Sequence, residues 1–550
     1  MNPLIRVCAL CLALACSGPG AADILDLQPY RRSAALAAMP ADGGGWNAEL
    51  TDLNPAVGSW YVLKLTREGV TRSYHLENPR PGAQLLRLDP GGVTLVEGGR
   101  QMNCALWDRD DALARAQRSA LPFAPLCGGR LYLRNPAQGT YTELERVTNF
   151  LRDNVWGGDR IVAFVRDQFY RDAYAEHGNL APAPPARGRE APAPAAMLAA
   201  IGGLGAETPD LDLDVDAAAS RLQLGQWYPV RGASGVYVSV VQPAAVAGGR
   251  DTAPDEVEAA ALDYLVAFDL GRFDLAFALG TDHPRLGWSE RALDRIRDDK
   301  LPGPDGIDSA APLQRTGMIS PAVAGRVQAA FAGGFKREHG AFRYGALALR
   351  NGGSHYGFVE EGVVFSRLQP GLATLYVLTD GTIGMKTWSA ADQPLLQRLR
   401  YARQNGVPLV DYDAATGGSH AGALVARWSE GNWSGSKDEK FRTLRAGACL
   451  VPAQGRDFLV YGYFSTATPP AMARVFAAYG CRYAMHLDMN ALEHTYLALY
   501  TRGDGPLRVQ HLVRGMEQVD RKGGAGLAPR FLAFPDDRDF FYLLRKADAP

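Results

Sequence analysis

Apolar residues in the last third of the chain change period in a way that marks a helix followed by a strand. Met472, Val475, Phe476 and Tyr479 recur at helical spacing, and Tyr483 to Leu487 then runs as a short strand. Thr468 suits an N-cap, Pro469 and Pro470 suit the first turn, and Gly480 suits the stop. Elsewhere the period is mostly two. Trp60 to Leu65, Gln84 to Leu88, Val93 to Val96 and Arg130 to Arg134 read as strands of a first unit. Helices are predicted over 142–154 and 159–176. Further along, Gln226 to Arg231, Gly235 to Val241, Leu262 to Leu270 and Asp274 to Leu279 continue the strand pattern, and Val327 to Ala332 leads into Gly333 and Gly334. Gly371 to Thr379 alternates, turns at Asp380-Gly381 and returns as Ile383 to Trp388, a hairpin. Leu395 to Asn405 reads as a helix stopped by Gly406. Arg442 to Leu450 and Asp457 to Phe464 form a strand pair.

Many strands with few helices predict an α+β protein: mixed β-sheets with flanking helices in a C-terminal domain, preceded by a smaller β-rich α+β domain. A chain of 550 residues is long for one domain. The expected division is an export signal over 1–22, a first domain over 23–178, a Pro/Ala-rich linker over 179–221 and a second domain over 222–550. The linker's repeated Ala-Pro steps favour an extended spacer, with a brief helical patch from Met197 to Leu204.

Composition narrows the function classes. Hydrophobic content of 47% and charged content of 21% are those of an ordinary globular chain. A net charge of -1 gives no global field for nucleic acid. Arg6, the apolar run Val7 to Ala15 and the small residues through Ala22 form an export signal, which places the protein in the periplasm or outside the cell. Leu14-Ala15-Cys16-Ser17 also reads as a lipobox, and lipidation at Cys16 would anchor the protein to the outer membrane instead. Of seven cysteines, four lie beyond the signal. Three pairings of four are possible; Cys104–Cys127 and Cys449–Cys481 each stay within one domain and are the expected disulfides. No CxxC or histidine cluster accompanies them, so neither metal nor cofactor is expected.

Three constellations carry candidate chemistry. Gly333 and Gly334 permit close backbone approach to a ligand, beside Lys336, Arg337 and His339, which would suit an anion. Arg445, at a strand end, has the fork that grips phosphate or carboxylate. Asp488, Asn490, Glu493 and His494 place carboxylate, amide and imidazole together for acid/base work at a sugar. Each has a plainer reading as a solvated turn or surface charge. Gly417-Gly-Ser419-His420 lacks the nucleophile elbow of serine hydrolases.

The order of Ala332-Gly-Gly-Phe335, the Asp380-Gly381 hairpin, Arg445-Ala-Gly-Ala448 and Gly480-Cys-Arg-Tyr-Ala-Met-His-Leu-Asp488 resembles the phosphodiester glycosidase domain over roughly 227–544. That family includes the enzyme that removes N-acetylglucosamine from a phosphodiester. The resemblance implies hydrolysis of a sugar-1-phosphodiester or related envelope glycan. Asp488, Arg445 and Lys336 would be catalytic, and Gly333, Gly334, His339, Asn490 and His494 would bind substrate. Two departures stand out. The family's glycine run after Leu-Asp is here Met489-Asn490-Ala491-Leu492, and its Asn-x-Gly-Phe-Phe turn is Ala332-Gly-Gly-Phe-Lys336. Larger side chains reshape such a pocket. The competing expectation is therefore an inactive family member that binds glycan or protein in the envelope, with the first domain docking a protein partner.

Overall fold

A computed structural model describes residues 22–36, 46–107, 111–142, 146, 172–183, 203–217, 220–350, 355–433, 441–502, 507–523 and 526–547. The expected export signal up to Ala21, most of both helices expected over 142–176, and most of the helical patch expected from Met197 to Leu204 lie outside the described residues. Strands dominate, in several antiparallel sheets with few helices, which is the β-rich α+β class expected.

The first 134 residues supply a six-stranded sheet and a three-stranded meander. Their inner faces share one apolar cluster that includes Leu63, Leu76, Leu95 and Leu133. Cys104 of the meander is joined to Cys127 beside the larger sheet. Trp60 and Val62 point the other way, into the large core of the following residues, and Trp60 meets Phe365 edge to face at 6.1 Å. Arg134 bonds Glu77 at 2.6 Å in the same contact. The flanks of the Pro/Ala-rich stretch are paired: Leu180–Pro182, Leu204–Glu207 and Arg221–Gln223 form a three-stranded sheet.

The C-terminal part is layered. An eight-stranded sheet places Arg456–Ala467, Thr443–Ala453 and Tyr483–Met489 side by side at its centre. The Pro469–Ala478 helix covers one face, with Met472, Val475 and Phe476 buried as the spacing predicted. Gly447 and Gly462 make this possible: a Cβ on either would stand under 3 Å from the Phe476 ring. Cys449–Cys481 ties the strand before the helix to the turn after it. Both disulfides fit an extracytoplasmic protein. On the other face lies a five-stranded sheet with Phe540–Arg545 and Val327–Ala332 at its centre, and Phe331 meets Tyr461 at 5.3 Å. A second five-stranded sheet follows, in contact through Phe277 and Phe358.

One element differs from expectation. Residues 395–405 are not an α-helix: Ala390–Arg398 is a 3₁₀ turn containing Pro394, and Leu399–Gln404 is a strand. Leu395, Leu396 and Leu399 mimic helical spacing, but two neighbouring strands pair with Leu399–Gln404, and sheet hydrogen bonds outweigh that local pattern. Among the described residues no helix is long and apolar enough to cross a membrane.

Candidate functional site

The site forms where strand ends from two sheets meet. Asp488 is the next-to-last residue of Tyr483–Met489 and is only 5% exposed. Its Oδ1 accepts from the Met489 backbone N–H at 2.9 Å, and its Oδ2 accepts from Arg538 Nη1 at 2.7 Å. The second terminal nitrogen of Arg538 lies 2.7 Å from His494 Nε2. A guanidinium only donates, so Nε2 accepts and the imidazole proton sits on Nδ1, donated to the Met489 carbonyl at 2.8 Å. Asp488, Arg538 and His494 are thus one hydrogen-bonded unit.

Arg538 belongs to the run Asp536-Asp537-Arg538-Asp539, which leads into the Phe540–Arg545 strand and organises the whole site. Asp536 takes Arg530 through both oxygens, at 2.7 and 3.0 Å. Asp537 faces Lys336 at 3.1 Å. Asp539 accepts from Arg403 Nε at 2.7 Å and lies 2.6 Å from His283 Nδ1. Burial opposes ionisation of Asp539, but Arg403 and His283 outweigh it and hold the carboxyl well below its usual range. These acids carried no spacing signal in the sequence; the telltale was their density, four charges immediately before an apolar strand.

Lys336 is 4% exposed, and a second carboxylate, Asp282, lies 3.6 Å from its ammonium. Tyr141 donates to that same Asp282 at 2.6 Å and sets its ring 5.5 Å from Lys336 Nζ. Burial and the bond to Asp282 push the Tyr141 hydroxyl up. Lys336 and Asp488 therefore flank adjacent residues, Asp537 and Arg538, of one short run.

Arg445 stands apart from them. It is fully buried and donates to the carbonyls of Ala467, Trp433 and Phe441 at 2.7, 2.8 and 3.3 Å. It also lies 3.3 Å from both His486 Nε2 and Met489 Sδ and sits over the Trp428 ring at 5.3 Å. Burial and Arg445 hold the His486 imidazole well below its ordinary value, so it stays neutral. The cation beside Asp488 is Arg538; Arg445 braces the strand that carries Asp488.

The glycine pair also faces protein. A Cβ on Gly333 would lie 2.7 Å from Asp539 Oδ2, and one on Gly334 would lie 2.6 Å from Arg403 Nη1. The pair makes room for the Arg403–Asp539 bridge. Arg403 then donates to the Phe335 carbonyl, while Asn405 accepts from the Phe335 N–H and donates to the carbonyls of His486 and Leu487. This knits the turn to the Asp488 strand. Asn490 sits at φ 82° with its N–H on Leu444. His339 is near Glu338 at 3.8 Å and partly exposed.

A cavity of about 240 Å³ opens beside this cluster, lined by Tyr141, Arg521, Arg530, Phe534 and Asp536 among others. Asp488, Lys336 and Arg445 do not line it.

No family model and no curated protein matches the chain. Among solved structures, the catalytic domain of zebrafish N-acetylglucosamine-1-phosphodiester alpha-N-acetylglucosaminidase, auto-inhibited by its pro-peptide, is weakly similar. The match covers 57% of this chain and 84% of that one, at 10% identity and TM-score 0.29. A putative exported protein from Burkholderia pseudomallei matches over 52% of this chain and 74% of its own, at 14% identity and TM-score 0.18. A hypothetical protein from Synechocystis matches over 88% and 97%, at 9% identity and TM-score 0.23.

Proposed function

We propose that the protein is a glycosidase-type hydrolase of the cell envelope or exterior that cleaves a sugar-1-phosphodiester at the anomeric carbon. The observation that carries this reading is the Asp488–Arg538–His494 unit, with Lys336 on the next residue of the same run. A carboxylate held by a charged fork is fixed in position, as a nucleophile or stabiliser of oxocarbenium-like charge requires. Phosphate monoester is a good leaving group, so the other demand is a cationic grip, met by Lys336 and Arg538. The anomeric C–O bond breaks and the electron pair leaves on the phosphate oxygen. Water supplies hydroxyl to the sugar and a proton to solution or to the phosphomonoester. Arg445 is a positioning residue here, and Gly333 and Gly334 set the turn rather than touch substrate.

A second reading is a binding module without catalysis. Burial favours it: Asp488 and Lys336 are each about 5% exposed and already paired within the protein. The two readings separate on a synthetic N-acetylglucosamine-1-phosphodiester. Release of reducing sugar by the wild type, falling about 10²–10⁴-fold in Asp488→Asn with the thermal midpoint little changed, supports the hydrolase. Saturable binding with no released sugar supports the module.

A further inference from the structure

The cavity beside the cluster is lined by Thr140 to Thr142 and Arg146, by Gln518 to Arg521, and by Arg530, Phe534 and Asp536. Both of its carboxylates are already satisfied. Asp536 holds Arg530 in a bidentate pair. Asp520 accepts from Tyr496 Oη, from His511 Nε2 and from the Arg530 backbone N–H, each at 2.9 Å. Arg521 differs. It is exposed, bonds the Thr140 hydroxyl and lies over the Phe534 ring at 4.3 Å. A hydroxyl and a ring orient a guanidinium without cancelling its charge.

The cavity thus offers a fixed positive fork above an aromatic wall, with its acids neutralised from within. Such a surface selects an anion that carries some carbon. At about 240 Å³ it is smaller than the sites of roughly 300–1,000 Å³ that take drug-sized ligands, so the ligand is small. It also adjoins the proposed chemistry. Asp536 lines the cavity two residues before Arg538, which holds Asp488. Tyr141 lines it too, and the Tyr141 ring neighbours Lys336.

We propose that this cavity is a subsite for a small alkyl phosphate, separate from the grip of Lys336 and Arg538 on the scissile phosphate, recognised by Arg521 with Phe534 against its carbon chain. The inference rests on the hydrolase reading for its biological sense, but its test needs no turnover. Glycerol 3-phosphate and inorganic phosphate are titrated calorimetrically into the full-length wild type, Arg521→Gln and Phe534→Leu. Saturable binding of glycerol 3-phosphate, tighter than that of inorganic phosphate and weakened at least about tenfold in Arg521→Gln, is expected for one lost charge-assisted contact. Phe534→Leu is expected to reduce the preference for glycerol 3-phosphate over inorganic phosphate. Arg521 is exposed, so its variant should melt with the wild type. Undiminished binding in Arg521→Gln, or equal affinity for the two anions, would overturn the subsite and leave the hydrolase reading intact. Arg521-dependent binding by a protein that releases no sugar would overturn the hydrolase and leave the subsite standing.

Discussion

Gly334 sits at φ +135°, in backbone space that side chains rarely adopt, and the group it would strike is pinned. Arg403 is fully buried and held by Asp539, Asn405 and the Phe335 carbonyl, so its guanidinium cannot swing aside. Gly334→Ala is therefore expected to destabilise the fold by about 1–3 kcal/mol, read as a lower urea midpoint; a wild-type midpoint would contradict that packing role. Arg445 belongs to the same class of residue. Removing its side chain leaves three carbonyls without their donor, so Arg445→Met is expected to cost roughly 3–5 kcal/mol of stability. A stable Arg445→Met variant would show that the strand holds Asp488 without that brace. At this scale the sequence suggested Asp488 by its place at a strand end, Lys336 by its place beside the glycine bend and His494 by its nearness in sequence to Asp488. It could not point to Arg538, because partnership between residues 50 positions apart leaves no local pattern.

The helix and strand around Cys449 and Cys481 were the most legible elements, because caps, proline and glycine agreed with the apolar period. The strand at Leu399–Gln404 was misread because three leucines imitate a helix and only the neighbouring strands reveal otherwise. Domain-internal pairing of the four cysteines did match the bonds formed. Cys449–Cys481 closes a separation of 32 residues, for which the chain-entropy account gives roughly 3–4 kcal/mol. Converting both cysteines to alanine should lower stability by about that amount while leaving far-ultraviolet circular dichroism unchanged in native buffer. An equal midpoint for wild type and variant would mean that the bond constrains little in the unfolded chain.

Across the whole molecule, buried acids set how stability depends on pH. Burial raises Glu176 to about 7 and Glu360 to about 8, against 4.5 for an ordinary glutamate. Each keeps a proton in the fold that the unfolded chain has released, so its contribution is whole below about pH 4.5 and is lost as pH climbs through 7 and 8. Asp539 works oppositely, contributing above the ordinary carboxylate range and failing only in strong acid. Buried histidines such as His75 and His486, held neutral in the fold, act the other way below about pH 6.5. The urea midpoint should therefore fall between pH 7 and pH 8.5, and Glu360→Gln should flatten that slope; a profile that rises over this range would be inconsistent with these burial effects. The β-rich class was readable from alternation along the chain. The convergence of two sheets on the Asp536–Asp539 run was not, since only packing brings those strand ends together. What that convergence does is most directly tested by hydrolysing a sugar-1-phosphodiester in heavy-oxygen water and weighing both products. Label in the released sugar is the expected result, because attack at the anomeric carbon gives the water oxygen to the sugar; label in the phosphate instead would mean attack at phosphorus and would contradict a glycosidase centred on Asp488.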